Sequence, residues 1–128
     1  MKEEVLIWKT LLEQENTLDQ KRIDHLKIID ELYADDIVQV ENGHEEIHGK
    51  ANLRKMEAAN LDKVNWVKTN ITHLVFDEAN NTLWAELRVD FETKKGVEKV
   101  LLESVFQQWG NGKIKLQKFY YGEIKTIE

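Results

Sequence analysis

Residues Leu32–Met56 read LYADDIVQVENGHEEIHGKANLRKM, and the changes of period along this stretch decide the fold. Leu32 and Tyr33 close a helical pattern. Ile37 to Glu41 is short, β-branched and alternating, the pattern of a strand. Asn42-Gly43 is a turn signal, and Gly49 precedes a helix that carries Leu53, Met56 and Ala59 inward. Helix end, strand, polar turn and helix start therefore follow one another within a few turns of chain.

Upstream, Val5, Trp8, Leu11 and Leu12 recur at helical spacing and predict an amphipathic helix of about three turns. A second helix follows, with Thr17 and Gln20 at capping-box spacing and Asp19 in the first turn, where the helix dipole favours a negative charge. Its apolar face is expected to hold Ile23, Leu26, Ile29, Leu32 and Tyr33, with Asp24, Lys27, Asp30 and Glu31 opposite. After Asn60 the period changes from helical to two and stays there. Asn65–Phe76 is one strand; Leu83, Ala85, Leu87, Val89 and Phe91 form the apolar face of the next. Lys95-Gly96 turns the chain into Glu98–Trp109, and Gly110-Asn111-Gly112 turns it into Ile114–Ile124. Four long strands joined by tight turns form an antiparallel meander. The order helix, helix, strand, helix, then strands gives an α+β class, with three helices on one face of a curved sheet. The 128 residues contain no repeat, linker or low-complexity segment, so residues 1–128 read as a single domain.

With 41% hydrophobic and 33% charged residues the composition is that of a soluble globular chain. Eighteen basic residues against 24 acidic give a net charge of -6 without any basic stripe, which argues against a nucleic-acid partner. There is no cysteine, hence no disulfide framework and no thiolate chemistry, as fits a reducing cytoplasm. The opening MKEEVLIWKTLLEQ lacks the features of a signal peptide, and no apolar run approaches membrane-spanning length. The expectation is a cytoplasmic protein with no membrane partner.

The element order, the phrase LYADDIVQVE, the later IHGKANLRKM and the closing FQQWGNGKIKLQKFYYGE together resemble the nuclear-transport-factor-2-like (NTF2-like) superfamily over almost the entire chain. Within it the likeness is to SnoaL-like polyketide cyclases and ketosteroid isomerases. The resemblance implies a cone-shaped, cystatin-like fold: a strongly bent antiparallel sheet around three helices, with a pocket at the open end and commonly a homodimer. It implies no cofactor. The superfamily hosts isomerases, cyclases, dehydratases, epoxide hydrolases and non-catalytic binding domains, so fold alone does not name a reaction.

Carried over residue by residue, the resemblance matches Tyr33-Ala34-Asp35-Asp36 to the isomerase phrase and places the general base on Glu41. A carboxylate in a dry pocket can have its pKa raised toward working pH and accept a proton. Ungapped matching of the C-terminal segments puts Ser104 at the position of the isomerases' protonated aspartic acid, and Leu11 near that of their tyrosine. Without these two donors the resemblance stops short of authentic steroid isomerase activity. If Ser104 faces inward, so do Val100, Leu102 and Phe106; on the last strand Gln117, Phe119 and Tyr121 point inward. Val67, Thr69, Ile71, His73 and Val75 share one face of their strand. The expected site is an apolar pocket with candidate base Glu41, a weaker candidate in His73, and ligand-binding residues Trp8, Gln39, Ser104, Phe106, Gln117, Phe119 and Tyr121. Such a site suits a small apolar ligand, either bound only or transformed by cofactor-independent proton transfer. In the alternative the cone is filled by its own aromatic side chains, and the chain is a non-catalytic homodimeric module joined through the sheet.

His44-Glu45-Glu46-Ile47-His48 matches HExxH by letter. On a helix its histidines would share a face and bind zinc. Bracketed by Gly43 and Gly49 the segment reads instead as turn and short strand, so no metal is expected. Arg88 between Glu86 and Asp90 resembles the acid–arginine–acid set of the superfamily's epoxide hydrolases. These residues oppose the apolar face, and a surface or dimer-interface charge ladder is the better reading. Trp84 on the same polar face points to a partner subunit.

Overall fold

The structure is a computed structural model describing residues 3–14 and 18–127. Three helices and seven strands follow in the order α1 (Glu3–Glu13), α2 (Leu18–Leu32), β1 (Tyr33–Glu41), β2 (Glu45–His48), α3 (Lys50–Leu61), β3 (Val64–Asp77), β4 (Thr82–Thr93), β5 (Glu98–Gly110), β6 (Lys113–Tyr121) and β7 (Lys125–Thr126). The strands form one sheet in the order β2-β1-β6-β5-β4-β3, with β7 paired to β5. The expected meander is present from β3 to β6, and all of its pairings are antiparallel. The sheet as a whole is mixed, because β1 lies parallel to β6. The segment expected as one strand to Ile124 stops at Tyr121 and resumes as β7. The capping-box residue Thr17 lies outside the described residues.

Val5, Trp8 and Leu11 of α1, Ile28 and Leu32 of α2 and Leu53 of α3 pack onto Ile37, Leu83, Ala85, Leu87, Val105, Trp109 and Ile114 of the sheet. One contiguous core is therefore built from one stripe of each helix and one face of the sheet. The stripe of α2 is rotated from the expected one: Ile23 is 58% exposed, whereas Asp24 is buried and accepts a hydrogen bond from Gln20 Nε2 at 2.9 Å. That rotation turns His25 and Ile28 toward the interior. On β3, Ile71 pairs with Leu87 and His73 with Glu86, so Thr72 is an extra residue. This bulge switches the inward face from Val67, Thr69 and Ile71 to Leu74 and Phe76. His73 and Val75, expected to share a face with Ile71, point outward instead.

The entry to α3 depends on backbone geometry. Gly49 has φ 90° and ψ 143°, and its N–H donates to the carbonyl of Ile37 at 2.8 Å, tying the helix start to β1. A Cβ at Gly49 would meet only the Asp35 carbonyl, at 4.0 Å, so space is not the constraint. The cost of a side chain there is conformational. Gly49→Ala is expected to lower unfolding stability by about 1–3 kcal/mol in urea titrations, with an unchanged denaturant slope.

Candidate active site: an acid-lined cavity

Between the helices and the inner face of the sheet lies an open-ended cavity of about 470 Å³. Trp8 of α1, Ile28 and Ile29 of α2, Met56 and Leu61 of α3, Val67 of β3 and Leu87, Val89 and Phe91 of β4 make most of its wall apolar. Exposed Lys63 and Ile124 mark its mouth.

The polar groups come from β1, β5 and β6, and strand register decides which of them meet. Gln39 lies opposite Gln117, which lies opposite Gln107, so three glutamines form a row across β1, β6 and β5. All three are buried. Trp109 Nε1 donates to Gln107 Oε1 at 2.9 Å, Gln107 Nε2 to Gln117 Oε1 at 2.7 Å, and Gln117 Nε2 to both Gln39 Oε1 and the Tyr33 hydroxyl at 2.9 Å. Gln39 Nε2 then donates to Glu41 Oε1 at 3.3 Å. Glu41 and Gln39 are two residues apart on β1 and share its inner face.

Glu41 is half-buried, and its Oε2 has no hydrogen-bond partner. Burial raises its pKa, reinforced by the charge of Glu45 and opposed by the bond from Gln39. Its position is fixed by the turn that follows. Asn42, at φ 50°, donates its N–H to the Phe119 carbonyl and accepts from the Tyr121 N–H through Oδ1, each at 2.8 Å. The end of β1 is thereby clamped to β6, with Glu41 and Tyr121 both on the cavity wall.

A second carboxylate, Glu103, faces the same cavity from β5, opposite Tyr121. No side chain among the described residues hydrogen-bonds to it. Its pKa is pushed up to about 7 by burial, with the charges of Glu41 and Glu57 adding to the effect. Burial, followed by the charges of Glu41, Glu103 and Glu45, raises the pKa of Tyr121. On the helix side His25 Nδ1 lies 3.1 Å from Glu57 Oε1, while its Nε2 is buried without a partner. Both residues line the cavity.

Among the residues expected at the site, Trp8, Gln39, Glu41, Gln117, Phe119 and Tyr121 line one cavity. Ser104 and Phe106 do not: Leu101, Glu103, Val105 and Gln107 hold the inner face of β5, and Ser104 and Phe106 lie on the outer face. Ser104, expected at an acid position, thus faces away from the cavity, and its neighbour Glu103 faces into it. His73 is also removed from the site, exposed at 77% and 3.4 Å from Glu86 Oε2. Arg88 and Asp90 pair at 3.1 Å on the outer face. Glu45–His48 is a strand, not a helix, so the HExxH letters do not bring their histidines together. No group of three metal-ligating side chains occurs among the described residues. Sequence reasoning missed Tyr33, His25, Glu57 and Glu103. Of these only Tyr33 carried a signal, through the phrase Tyr33-Ala34-Asp35-Asp36.

No protein-family model matches the sequence, and no curated protein matches it. Solved structures do. An NTF2-like protein of unknown function from Exiguobacterium sp. 255-15 aligns over 94% of this chain and 98% of its own, with a TM-score of 0.74 and 18% identity. The chain has the NTF2-like fold. An LEH-like epoxide hydrolase from M. tuberculosis aligns over 93% and 80%, with a TM-score of 0.69 and 15% identity. A protein of ketosteroid isomerase-like fold from Catenulispora acidiphila DSM 44928, in complex with trimethylamine, aligns over 95% and 87%, with a TM-score of 0.67 and 14% identity. A SnoaL-like polyketide cyclase fold is also among the neighbours of this NTF2-like chain. At such identities the likeness is one of fold. No helix of the described residues is long and apolar enough to cross a membrane.

The raised pKa of Glu103 has a consequence for stability. Below the ordinary glutamate value of 4.5 the carboxyl is protonated both folded and unfolded, and above about 7 it is ionised in both. Between the two, only the unfolded chain has released the proton, so stability falls as pH rises. The loss from pH 4.5 to 7 is at most ~3 kcal/mol, reduced by water entering the cavity. Glu103→Gln is expected to abolish this decline and to be more stable than the wild type at pH 8 in thermal melts.

Proposed function

We propose that the cavity binds a small, mainly apolar molecule and that Glu41 acts on it as a proton acceptor, with Glu103 as the neighbouring proton donor. The observation behind this reading is the pairing of two carboxyl groups of raised pKa in one apolar, open cavity, one of them with an unpartnered oxygen. A core that served only to fill the cone would replace both with apolar groups, because buried carboxylates without cations are costly. In the reaction a C–H bond beside a carbonyl breaks and its proton goes to Glu41. The electron pair moves to the carbonyl oxygen, which takes a proton from Glu103; Glu41 then returns a proton to carbon as the oxygen gives its proton back to Glu103. No cofactor is needed for these steps. Isomerisation, aldol-type cyclisation and dehydration beside a carbonyl can begin with such a transfer, in keeping with the cyclase name among the structural neighbours.

The test is hydrogen–deuterium exchange of 2-tetralone in D2O, followed by NMR. Wild-type protein is expected to accelerate loss of the proton next to the carbonyl, and Glu41→Gln to reduce the accelerated rate by at least about 100-fold. The rate is expected to rise with pH as Glu41 ionises and to fall as Glu103 loses its proton near 7. Glu103→Gln removes the falling limb. Exchange no faster than in buffer, with binding intact, would leave a binding protein without this chemistry.

The outer face of the sheet supports a homodimer. Val75, Trp84, Phe106 and Lys118 are register partners across β3, β4, β5 and β6. Trp84 and Phe106 have ring centroids 5.0 Å apart, and Trp84 stacks on Tyr120 at 6.4 Å. Trp84 at 50% and Leu102 at 59% exposure are large apolar groups in water. A second copy of the chain covers this face most simply, since isologous packing matches the patch to itself. Sedimentation equilibrium is expected to give twice the chain mass for the wild type and the single-chain mass for Trp84→Glu.

A further inference from the structure

The glutamine row has a direction, and that direction fixes what the cavity offers to a ligand. An indole N–H can only donate. Trp109 is buried and donates to Gln107, so Gln107 presents its oxygen to the indole and its NH2 to Gln117. Gln117 must then accept through Oε1 and donate through Nε2, which it does to Gln39 and to the oxygen of Tyr33. Reversing any amide in the row would set two donors or two acceptors against each other. The orientation of all three amides thus follows from Trp109.

We infer that Tyr33 is the group that anchors a ligand oxygen in this cavity, because the row occupies its acceptor side and leaves its O–H as a donor without an acceptor. Among the described residues none accepts that proton, and Tyr33 lines the cavity. The hydroxyl stays protonated at any working pH: burial, followed by the charges of Glu57 and Glu41, holds its pKa well above the ordinary tyrosine value, although the bond from Gln117 acts the other way. The other branch of the row ends on Glu41 Oε1, leaving Oε2 as a free acceptor. One fixed donor and one free acceptor in an apolar wall select a hydrophobic molecule with an oxygen acceptor at one point and a proton to yield near it. This inference rests on the reading of the cavity as a binding site and names its polar specificity. It does not require that Glu41 complete a reaction.

The experiment compares 2-tetralone with tetralin, two bicyclic probes of nearly equal shape that differ in one carbonyl oxygen. Binding is followed by tryptophan fluorescence for the wild type and Tyr33→Phe. The wild type is expected to prefer 2-tetralone by about tenfold, the scale of one hydrogen bond. Tyr33→Phe is expected to remove that preference, so that the two probes bind the variant equally. The carbonyl stretch of bound 2-tetralone should lie below its value in an alkane, and the shift should shrink in the variant. A wild type that binds both probes equally, or a preference and frequency shift that survive Tyr33→Phe, overturns the assignment to Tyr33 while leaving the pocket reading intact. If neither probe binds the wild type, the pocket reading itself fails, and this inference with it. A readout independent of the variant comes from 3-fluorotyrosine incorporated in place of tyrosine. The Tyr33 fluorine resonance is expected to move on adding 2-tetralone beyond any shift caused by tetralin, and an equal response to both also overturns the inference.

Discussion

The indole N–H of Trp109 sits in the packed core with a glutamine oxygen as its acceptor, and the polar architecture of the molecule is set by that bond. Leaving a buried donor unpaired costs about 1–3 kcal/mol, so each member of the row is held by the next. What makes the row possible is the parallel pairing of β1 with β6. β1 runs beside β6 with Gln39 opposite Gln117, and the antiparallel β5 brings Gln107 to the same level. On one side of this row lie Trp109, Leu83 and Ile114, closely packed. On the other side lies the cavity. The row is the floor of the cone, satisfied internally and therefore available to lend its ends, Tyr33 and Glu41, to whatever occupies the space above it.

That space stays open because its wall is built from side chains with competing demands. Glu41, Glu57 and Glu103 all line it. Among the described residues a basic side chain, His25, lies within hydrogen-bonding distance of only one of the three, Glu57. Collapse of the helices onto the sheet would strip the remaining water from Glu41 and Glu103 and raise the desolvation cost further. The carboxyl groups thus oppose the closure that the surrounding Ile, Leu, Val and Phe side chains favour. Local departures from good packing of this kind concentrate at functional sites. Two carboxyl groups raised in pKa by burial and facing one space are also what the proposed proton transfer uses.

The parts of this arrangement that were legible in sequence are those where one face of an element was polar. β1 alternates cleanly, and Asn42-Gly43 ends it, so Gln39 and Glu41 could be placed together on one face. The Lys95-Gly96 and Gly110-Asn111-Gly112 turns fixed the meander. β5 was illegible in phase because both of its faces are apolar: Val100, Leu102 and Phe106 alternate with Leu101, Val105 and Trp109. A shift of one residue reverses every side chain, and matching Ser104 to an acid position selected the wrong face, concealing Glu103. β3 failed for a different reason. The extra residue Thr72 breaks the period of two, so Ile71 and His73 cannot share a face. On α2 the apolar Ile23 is outside and the charged Asp24 inside, an inversion that only the packing of α1 and α3 against it decides.

β5 links the two faces of the sheet. It carries Glu103 into the cavity and, on the residues flanking it, Leu102 and Ser104 outward beneath the Trp84–Phe106–Tyr120 cluster. It pairs with β4 from Glu98 to Gln108 and with β6 from Glu103 to Gly110, and Lys99 and Val100 are held by β7. A strand fixed on both sides cannot rotate a single side chain inward or outward without moving its neighbours. A subunit packed on the outer face in the proposed dimer would therefore stiffen the strand that positions Glu103. Oligomerisation and acid–base geometry would then be coupled through one element, with no contact between the interface and the ligand.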